Sequence, residues 1–372
     1  MIIEQIGQFQ SALSWPNRKT LARCIKVVQE TPDVKTFQFQ AVEPCLFHFK
    51  PGQFIGLQIE VGGVKHNRSY TISSSPSRPH LLEITIKNEI GGAISPWMHE
   101  NIKVGSEIEL RGPAGRFNNL DISTDHVLLI SAGSGITPMM SMARFWSDTN
   151  PGKDIMFINW VRSTDDIIFR RELGLLEHKN NNFKLEVICT QPGLSQNWLG
   201  RRGRINHTVL YDMVPDINTR TVFCCGPEGF MKEVKTCLQK LNFNMDNYHD
   251  ESFDPGGKKK TRQEETKNNA KPDSTVSKRV QRVFTPTYQL TLKKSNLTLD
   301  ITPDEILLEK LEAANVDISS ACRGGNCGAC IVQKISGKST TQVEQGLSDE
   351  DKTLGKILTC TTTVQTDVEL DL

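Results

Sequence analysis

The 372-residue sequence predicts a multi-domain protein with three folded modules: an antiparallel β-barrel, an α/β domain built on a parallel sheet, and a small α+β domain. Three observations predict it. The chain is longer than one hydrophobic core ordinarily serves. Its apolar pattern changes twice, from short strand-like runs to buried strands separated by helical spacing, and then back to short runs. Between the second and third patterns, residues 255–283 carry almost no large apolar side chain.

The barrel is placed at residues 18–120, where strand-like runs at 22–28, 34–39, 53–61, 69–73, 82–87 and 107–111 are broken by turn signals. Six short strands with little helical periodicity fit a closed antiparallel sheet. Residues 121–254 read differently. The runs HVLLISAG, KDIMFINWV, FKLEVICT and RTVFCCG look like buried strands, and TPMMSMARFWSDT and PEGFMKEVKTCLQKLN between them carry helical spacing. Strands alternating with helices mean βαβ units and a parallel sheet. Residues 255–283 are rich in Lys, Thr, Asn and Ser and show neither period, so they read as a flexible linker. A coil of that length spans on the order of 30 Å root-mean-square, which lets the modules it joins touch or separate. The last block, residues 284–372, holds two strand-like runs (YQLTLKK, LTLDI), a helix (ILLEKLEAAN), a cysteine-rich loop and two closing strands.

Composition narrows the class. The net charge of +1 hides a split, with 27 basic and 27 acidic residues in 1–255, nine and three in 256–283, and eight and thirteen in 284–372. An acidic module therefore follows a basic connector, an arrangement suited to charge-steered docking as well as to simple solubility. The longest apolar runs are strand-sized, so no membrane span is expected; neither a membrane nor a nucleic acid is expected as partner. The first residues lack a basic segment ahead of an apolar one, and a cytoplasmic location is expected. Ten cysteines in that setting are not a disulfide framework; Cys24, Cys45, Cys189, Cys224, Cys225 and Cys237 show no ligand spacing and read as small buried residues.

The other four cysteines carry the strongest signal. Cys322, Cys327, Cys330 and Cys360 form C-x4-C-x2-C followed by a distant fourth cysteine, the spacing of plant-type [2Fe-2S] ligands. Backbone N–H groups must turn toward the cluster sulfurs, and Gly324, Gly325 and Gly328 supply the conformational freedom. A zinc site is the competing reading, although zinc favours paired C-x2-C knuckles. Upstream, Gly133, Gly135 and Thr137 lie in SAGSGITP after an apolar strand and before a helix, and Cys225, Gly226 and Pro227 open CGPEG in the same kind of place. Such turns let a phosphate-bearing ligand reach the backbone and a helix N-terminus, though either alone is also an ordinary tight turn. In the barrel, Arg68, Ser69, Tyr70 and Thr71 offer a guanidinium, a phenol and two hydroxyls on one strand, and Gly92, Ile94 and Ser95 begin a second glycine turn before a helix.

Taken in order, R-S-Y-T, G-G-A-I-S, G-S-G-I-T-P, C-G-P-E-G and the four cysteines resemble the ferredoxin reductase superfamily fused to a C-terminal plant-type ferredoxin of β-grasp fold, over roughly residues 20–372. The resemblance implies an FAD-binding barrel with Arg68 on phosphate, Tyr70 and Thr71 at the isoalloxazine, Ser69, Ile86 and Lys87 nearby, and Gly92, Ile94 and Ser95 at the pyrophosphate. It implies an NADH site at Gly133, Gly135, Thr137, Cys225, Gly226 and Pro227. It also places an acidic or aromatic residue at the flavin edge, with Cys225, Glu251 and Phe253 as the candidate catalytic residues. Thr71 stands where many members have serine and keeps the hydroxyl. RSYTISSSP, TPMMSMARFW and RSTDDIIFRREL look most like the NADH oxidoreductases that serve hybrid-cluster protein, while FHFKPGQF and FCCGPEGFMKEVKTCLQKLNFNMDNYHDESF are similar to the reductase components of glycine betaine-type Rieske monooxygenases. The implied path runs from NADH to FAD to [2Fe-2S] to a protein acceptor, hybrid-cluster protein in the first reading and a Rieske oxygenase component in the second. A zinc-binding or redox-sensing interaction protein is the reading from another class. Arg162, Arg170, Arg171, Arg201, Arg202 and Arg204 leave a 2′-phosphate possible; the resemblance favours NADH.

Overall fold

The computed structural model describes Trp15 and residues 19–191, 198–253, 286–316, 318, 320, 323–325 and 327–372. The predicted linker and the predicted ligand Cys322 lie outside the described residues. Two compact units are present, one carrying residues 19–253 and the other the C-terminal residues from 286.

The first unit begins with six antiparallel strands: β1 (Lys19–Thr31), β2 (Val34–Ala41), β3 (Phe54–Val61), β4 (Val64–Thr71), β5 (Leu82–Lys87) and β6 (Glu107–Ala114). Their order is β4-β3-β6-β1-β2-β5, and an antiparallel bridge from Ile72 to Ile84 joins the two ends, closing the barrel. Alternation explains the strands. On β2, Phe37 and Phe39 are fully buried while Gln38 between them is not. Helix α1 (Ile94–Asn101) lies across β5, held by His99 Nε2 at 2.8 Å from the Ile86 carbonyl oxygen.

The parallel sheet contains β7 (His126–Ala132), β8 (Asp154–Val161), β9 (Phe183–Cys189), β10 (Thr221–Cys225) and β11 (Tyr248–Glu251), in the order β11-β10-β7-β8-β9. Four of these strands match the predicted runs. The fifth, YHDE, is a polar edge strand that carries no apolar run to announce it. On β7, Val127 and Leu129 enter one apolar layer with α2 (Ile136–Thr149) and α3 (Arg170–Lys179), whereas Leu128 and Ile130 enter the opposite layer with α4 (His207–Met213) and α5 (Glu228–Lys240). A strand buried on both faces is why HVLLISA reads as a continuous apolar run.

Helix α2 also fastens the sheet to the barrel. Ser141 Oγ donates to the Ser74 carbonyl at 2.7 Å, Arg144 donates to the Ser73 carbonyl at 2.6 Å, and Arg78 pairs with Asp148 at 2.8 Å. The second unit holds β12 (Tyr288–Leu292), β13 (Leu297–Ile301), α6 (Leu307–Ala313), β14 (Ile331–Ser336), β15 (Ser339–Thr341), α7 (Asp349–Thr353), β16 (Lys356–Leu358), β17 (Thr362–Val364) and β18 (Val368–Leu370). A mixed sheet β13-β12-β18-β14-β16 packs against α6 through Leu307, Leu308 and Leu311. Five strands follow the cysteine-rich loop where two were expected, because four of them are only three residues long. Among the described residues no helix is long and apolar enough to cross a membrane.

Candidate functional site

The two glycine turns predicted from sequence are pressed together. Residues Gly133–Gly135 carry β7 into α2, and a Cβ at Gly135 would lie 2.3 Å from the Cys225 carbonyl oxygen and 2.6 Å from the Gly226 nitrogen. Only glycine fits such an approach. Neither α2 nor α5 has a side-chain cap, which leaves the first-turn N–H groups of both helices without that partner, at the same end of the sheet. Thr137 Oγ1 donates to the Ser134 carbonyl at 3.1 Å and so tightens the first turn.

A cavity of about 700 Å³ opens beside these turns. The α/β domain lines it with Gly133, Ser134, Arg162 and Pro227, and the barrel lines it with Asp33 and Lys87. Lys87, predicted from sequence, is 3.6 Å from Asp33 at that wall. Asp33, Arg162, Asp166 and Thr190 also reach the cavity, although only Arg162 was singled out from sequence. Their signal was positional, since Arg162 and Thr190 directly follow the apolar runs that become β8 and β9.

Cys225 ends β10 opposite Ser131 of β7 on one side and Glu251 of β11 on the other. Its thiol is fully buried, and that burial pushes it well above the ordinary range, so it is a neutral, shape-defining group. Glu251 Oε2 is buried with no hydrogen-bond partner among the described residues, and burial pushes this carboxyl up to about 8. It therefore holds its proton at neutral pH. A carboxyl whose folded pKa is raised stabilises the fold fully below the ordinary glutamate range and loses that contribution as the pH rises through about 8. Replacing Glu251 with Gln is expected to remove this decline. Thermal melting of both proteins from pH 5 to 9 checks it, and parallel curves would contradict the assignment. Phe253 is 43 % exposed two residues further on, His249 packs 5.4 Å from the Phe223 ring, and Asp250 pairs with Lys235 at 3.0 Å.

On the barrel, β4 is hydrogen-bonded to β3. Arg68 is exposed, Tyr70 packs on the barrel core with its phenol pushed up to about 12 by burial, and Thr71 is buried. Ser69 Oγ is buried without a partner among the described residues. Across the barrel, Gly92 N–H donates to the Glu89 carbonyl at 2.9 Å, and Ser95 Oγ accepts from Glu89 N–H at 3.1 Å, leaving its own proton to donate. Ile94 is buried, and Ile86 sits in the barrel core with its carbonyl engaged by His99. An orphaned buried polar atom such as Ser69 Oγ requires an explanation, and the uncapped helix α1 suits a phosphate-bearing ligand. These residues fit FAD.

In the second unit the register of β14 against β16 sets Ile331 opposite Leu358. That pairing brings Cys330, just before β14, to Cys360, just after β16. Their Sγ atoms lie 3.1 Å apart, and Thr359 N–H donates to the Cys330 carbonyl at 3.1 Å. Cys327 is buried on the same loop and its Sγ accepts from Ala329 N–H at 3.4 Å. The loop turns through positive φ at Arg323, Gly325 and Gly328. It rests on a second strand of chain, where a Cβ at Gly325 would stand 2.6 Å from the Val343 carbonyl oxygen and Gly346 N–H donates to the Gly325 carbonyl at 2.7 Å. Arg323 is tied to Glu312 of α6 by an ion pair. Among the described residues no three His, Cys, Asp or Glu side chains form a ready metal site; the described thiols are the Cys330 and Cys360 pair plus Cys327. A two-iron cluster takes two ligands per iron, so a close, buried, unbridged thiol pair fits half of it. Of the six scattered cysteines, all but Cys45 are fully buried, as expected.

A flavin barrel, a dinucleotide-binding sheet and a cysteine-cluster module in one chain define an NADH-dependent oxidoreductase with FAD and [2Fe-2S] as cofactors. Family models match in the same order: an oxidoreductase FAD-binding domain over residues 22–119, an oxidoreductase NAD-binding domain over 129–236 and a 2Fe-2S iron-sulfur cluster binding domain over 290–365. The chain is 41% identical over 361 residues to the glycine betaine monooxygenase reductase subunit of Pseudomonas aeruginosa, covering 96% of each protein. It is 35% identical to the stachydrine N-demethylase reductase subunit of Rhizobium meliloti, over 95% of this chain and 96% of the relative. NADH oxidoreductase HCR of Escherichia coli is 27% identical over 92% of this chain and 95% of that protein. In fold it matches phthalate dioxygenase reductase at a TM-score of 0.58, with 20% identity over 95% of this chain and 98% of the other. The chain belongs to the ferredoxin reductase-type, ferredoxin-fused oxidoreductases, in the family of the glycine betaine monooxygenase reductase subunits.

Proposed function

We propose that the chain is the reductase component of a Rieske-type monooxygenase whose substrate is a small quaternary ammonium compound of the glycine betaine class. The similarity of 41% over nearly the whole length of both proteins carries this reading. It reverses the order of the two readings from sequence, because the relative of the hybrid-cluster kind stands at 27%. The short motifs that favoured it, such as RSYT, answer the demands of flavin binding whichever protein receives the electrons, so they do not select a partner.

Bound FAD would supply the conversion of a two-electron donor into single-electron steps. The residues of the chain position, bind and exclude. Gly133, Gly135 and the uncapped start of α2 offer a pyrophosphate their N–H groups. Cys225, fully buried, and Glu251, whose carboxyl stays neutral through burial of Oε2, make an uncharged face at the ends of β10 and β11, favourable for a nicotinamide ring. Arg68 and Ser95 supply a cation and a hydroxyl donor for flavin phosphates, with Tyr70 as an apolar face. Cys327, Cys330 and Cys360, with Cys322, would hold the cluster.

The test is direct. The purified holoprotein, NADH and the oxygenase component of a glycine betaine monooxygenase are mixed anaerobically, and bleaching of the Rieske absorption is followed. Rapid bleaching is expected with that component and none with hybrid-cluster protein. The reverse pattern would overturn the proposal.

A further inference from the structure

We propose that Asp166 makes this protein selective for NADH by masking a latent 2′-phosphate site formed by Arg162 and Arg204. The inference rests on the placement of the dinucleotide in the cavity beside Gly133. In an open parallel sheet the ligand lies across the carboxyl ends of the strands, with its pyrophosphate on the glycine turn and helix N-terminus. Here that turn follows β7, the central strand of the order β11-β10-β7-β8-β9. The nicotinamide half runs toward Cys225 and Glu251 on β10 and β11. The adenosine half must then run the other way, over the ends of β8 and β9.

The residues at those ends decide what an adenosine ribose meets. Val161 ends β8, and Arg162, Ser163 and Asp166 follow it in a tight turn that borders the cavity, which Thr190 after β9 and Arg204 also line. Asp166 is fixed in place. Its Oδ2 accepts from Ser163 N–H at 2.9 Å and from Ser163 Oγ at 2.8 Å. Its Oδ1 lies 3.6 Å from Arg162 Nη2. The side chain of Arg162 is 66% exposed and that of Asp166 is 28% exposed, so the carboxylate is the inner partner of the pair. Arg204 borders the same cavity and makes no ion pair among the described residues.

An acidic side chain after the second strand of a βαβ unit accepts from a ribose 2′-hydroxyl and repels a phosphate placed there. Arg162 cannot answer that repulsion while it is paired with the same carboxylate. Two arginines facing one cavity are otherwise what a 2′-phosphate requires, since the guanidinium fork matches phosphate oxygens. Asp166 is thus the element that excludes the phosphate, and the cations are already in position behind it.

Asp166→Asn isolates the charge, because the asparagine oxygen can still accept from Ser163. Binding of 2′,5′-ADP and of 5′-AMP to the flavin-loaded protein is measured by calorimetry, together with kcat/KM for NADPH and NADH using ferricyanide. The variant is expected to bind 2′,5′-ADP at least about tenfold more tightly and to gain a similar factor with NADPH, the scale of removing one like-charge juxtaposition. Affinity for 5′-AMP should not rise, and adding Arg162→Leu should abolish the gain. Binding of 5′-AMP without any gain for 2′,5′-ADP overturns the proposal alone. Failure of 5′-AMP to bind the parent protein overturns the placement of the dinucleotide and the proposal with it.

Discussion

Replacing Cys330 with serine is expected to abolish reduction of the protein acceptor while NADH-driven reduction of ferricyanide continues. Cys330 is 2% exposed, and its sulfur lies 3.1 Å from that of Cys360, so the substitution removes one of the two thiols that a single iron would require. A serine hydroxyl ionises far less readily than a thiol and is a poor ligand for iron of this type. Loss of outer-shell partners alone costs 10- to 100-fold in metal sites, so loss of a ligand should lower acceptor reduction by at least about a hundredfold. Residues 19–253 have their own apolar layers, with no member from the second unit among the described residues. Ferricyanide reduction should therefore stay within about twofold of the parent, as sites that share no partner do. Visible absorption separates the cases: the iron–sulfur contribution should vanish and the flavin bands remain. Loss of both activities with flavin still bound would contradict the order of the path.

How much of this was legible in the sequence depends on where each signal lives. Strands buried on both faces, such as HVLLISA, announce themselves because every side chain must be apolar. Strand YHDE does not, since it lies at an edge, and its tyrosine and one glutamate oxygen are buried by tertiary contacts that local composition cannot report. The cysteine spacing was readable because ligands crowd one loop, but the partner of Cys330 became visible only through the register of β14 against β16, two strands separated by most of the loop region. Gly135 was readable as a turn and no more; that it touches the Cys225 carbonyl is a property of two strands meeting. Asp166 was passed over for a similar reason. It sits in a run of polar residues, and only the fold shows that it lines the cavity. The choice of acceptor was misread because the shortest motifs are the ones demanded by flavin, dinucleotide and cluster alike, whichever protein receives the electrons.

The same distinction between local and tertiary signals applies to Arg144, which the helical spacing of TPMMSMARFW places among apolar residues with no hint of its role. Its side chain is nearly buried and donates to Glu172 at 2.7 Å, to Glu83 at 2.8 Å and to the Ser73 carbonyl at 2.6 Å, while its guanidinium lies 4.9 Å from the Phe169 ring centre. Those partners come from the barrel and from the α/β domain, so this one cation spans both. Arg144→Met is expected to cost about 3 kcal/mol in urea unfolding, the lower end for breaking a buried ion network, because Glu172 keeps partial access to water. Arg144→Lys should recover little, since a single ammonium cannot reproduce the planar fork that meets two carboxylates and a carbonyl. Neutralising the carboxylates as well, in the triple variant with Glu83→Gln and Glu172→Gln, should return part of the loss, because the penalty comes from charges left unpaired rather than from attraction forgone. A loss no larger than that of an ordinary surface change, about 0.5 kcal/mol, would show that the network is incidental. The cavity is lined from both sides, by Lys87 and Asp33 on the barrel and by Gly133 and Arg162 on the sheet. Loosening their junction should therefore raise KM for NADH before it lowers the yield of folded protein, and that ordering would mark Arg144 as a residue that holds the two walls of the cavity at a fixed separation.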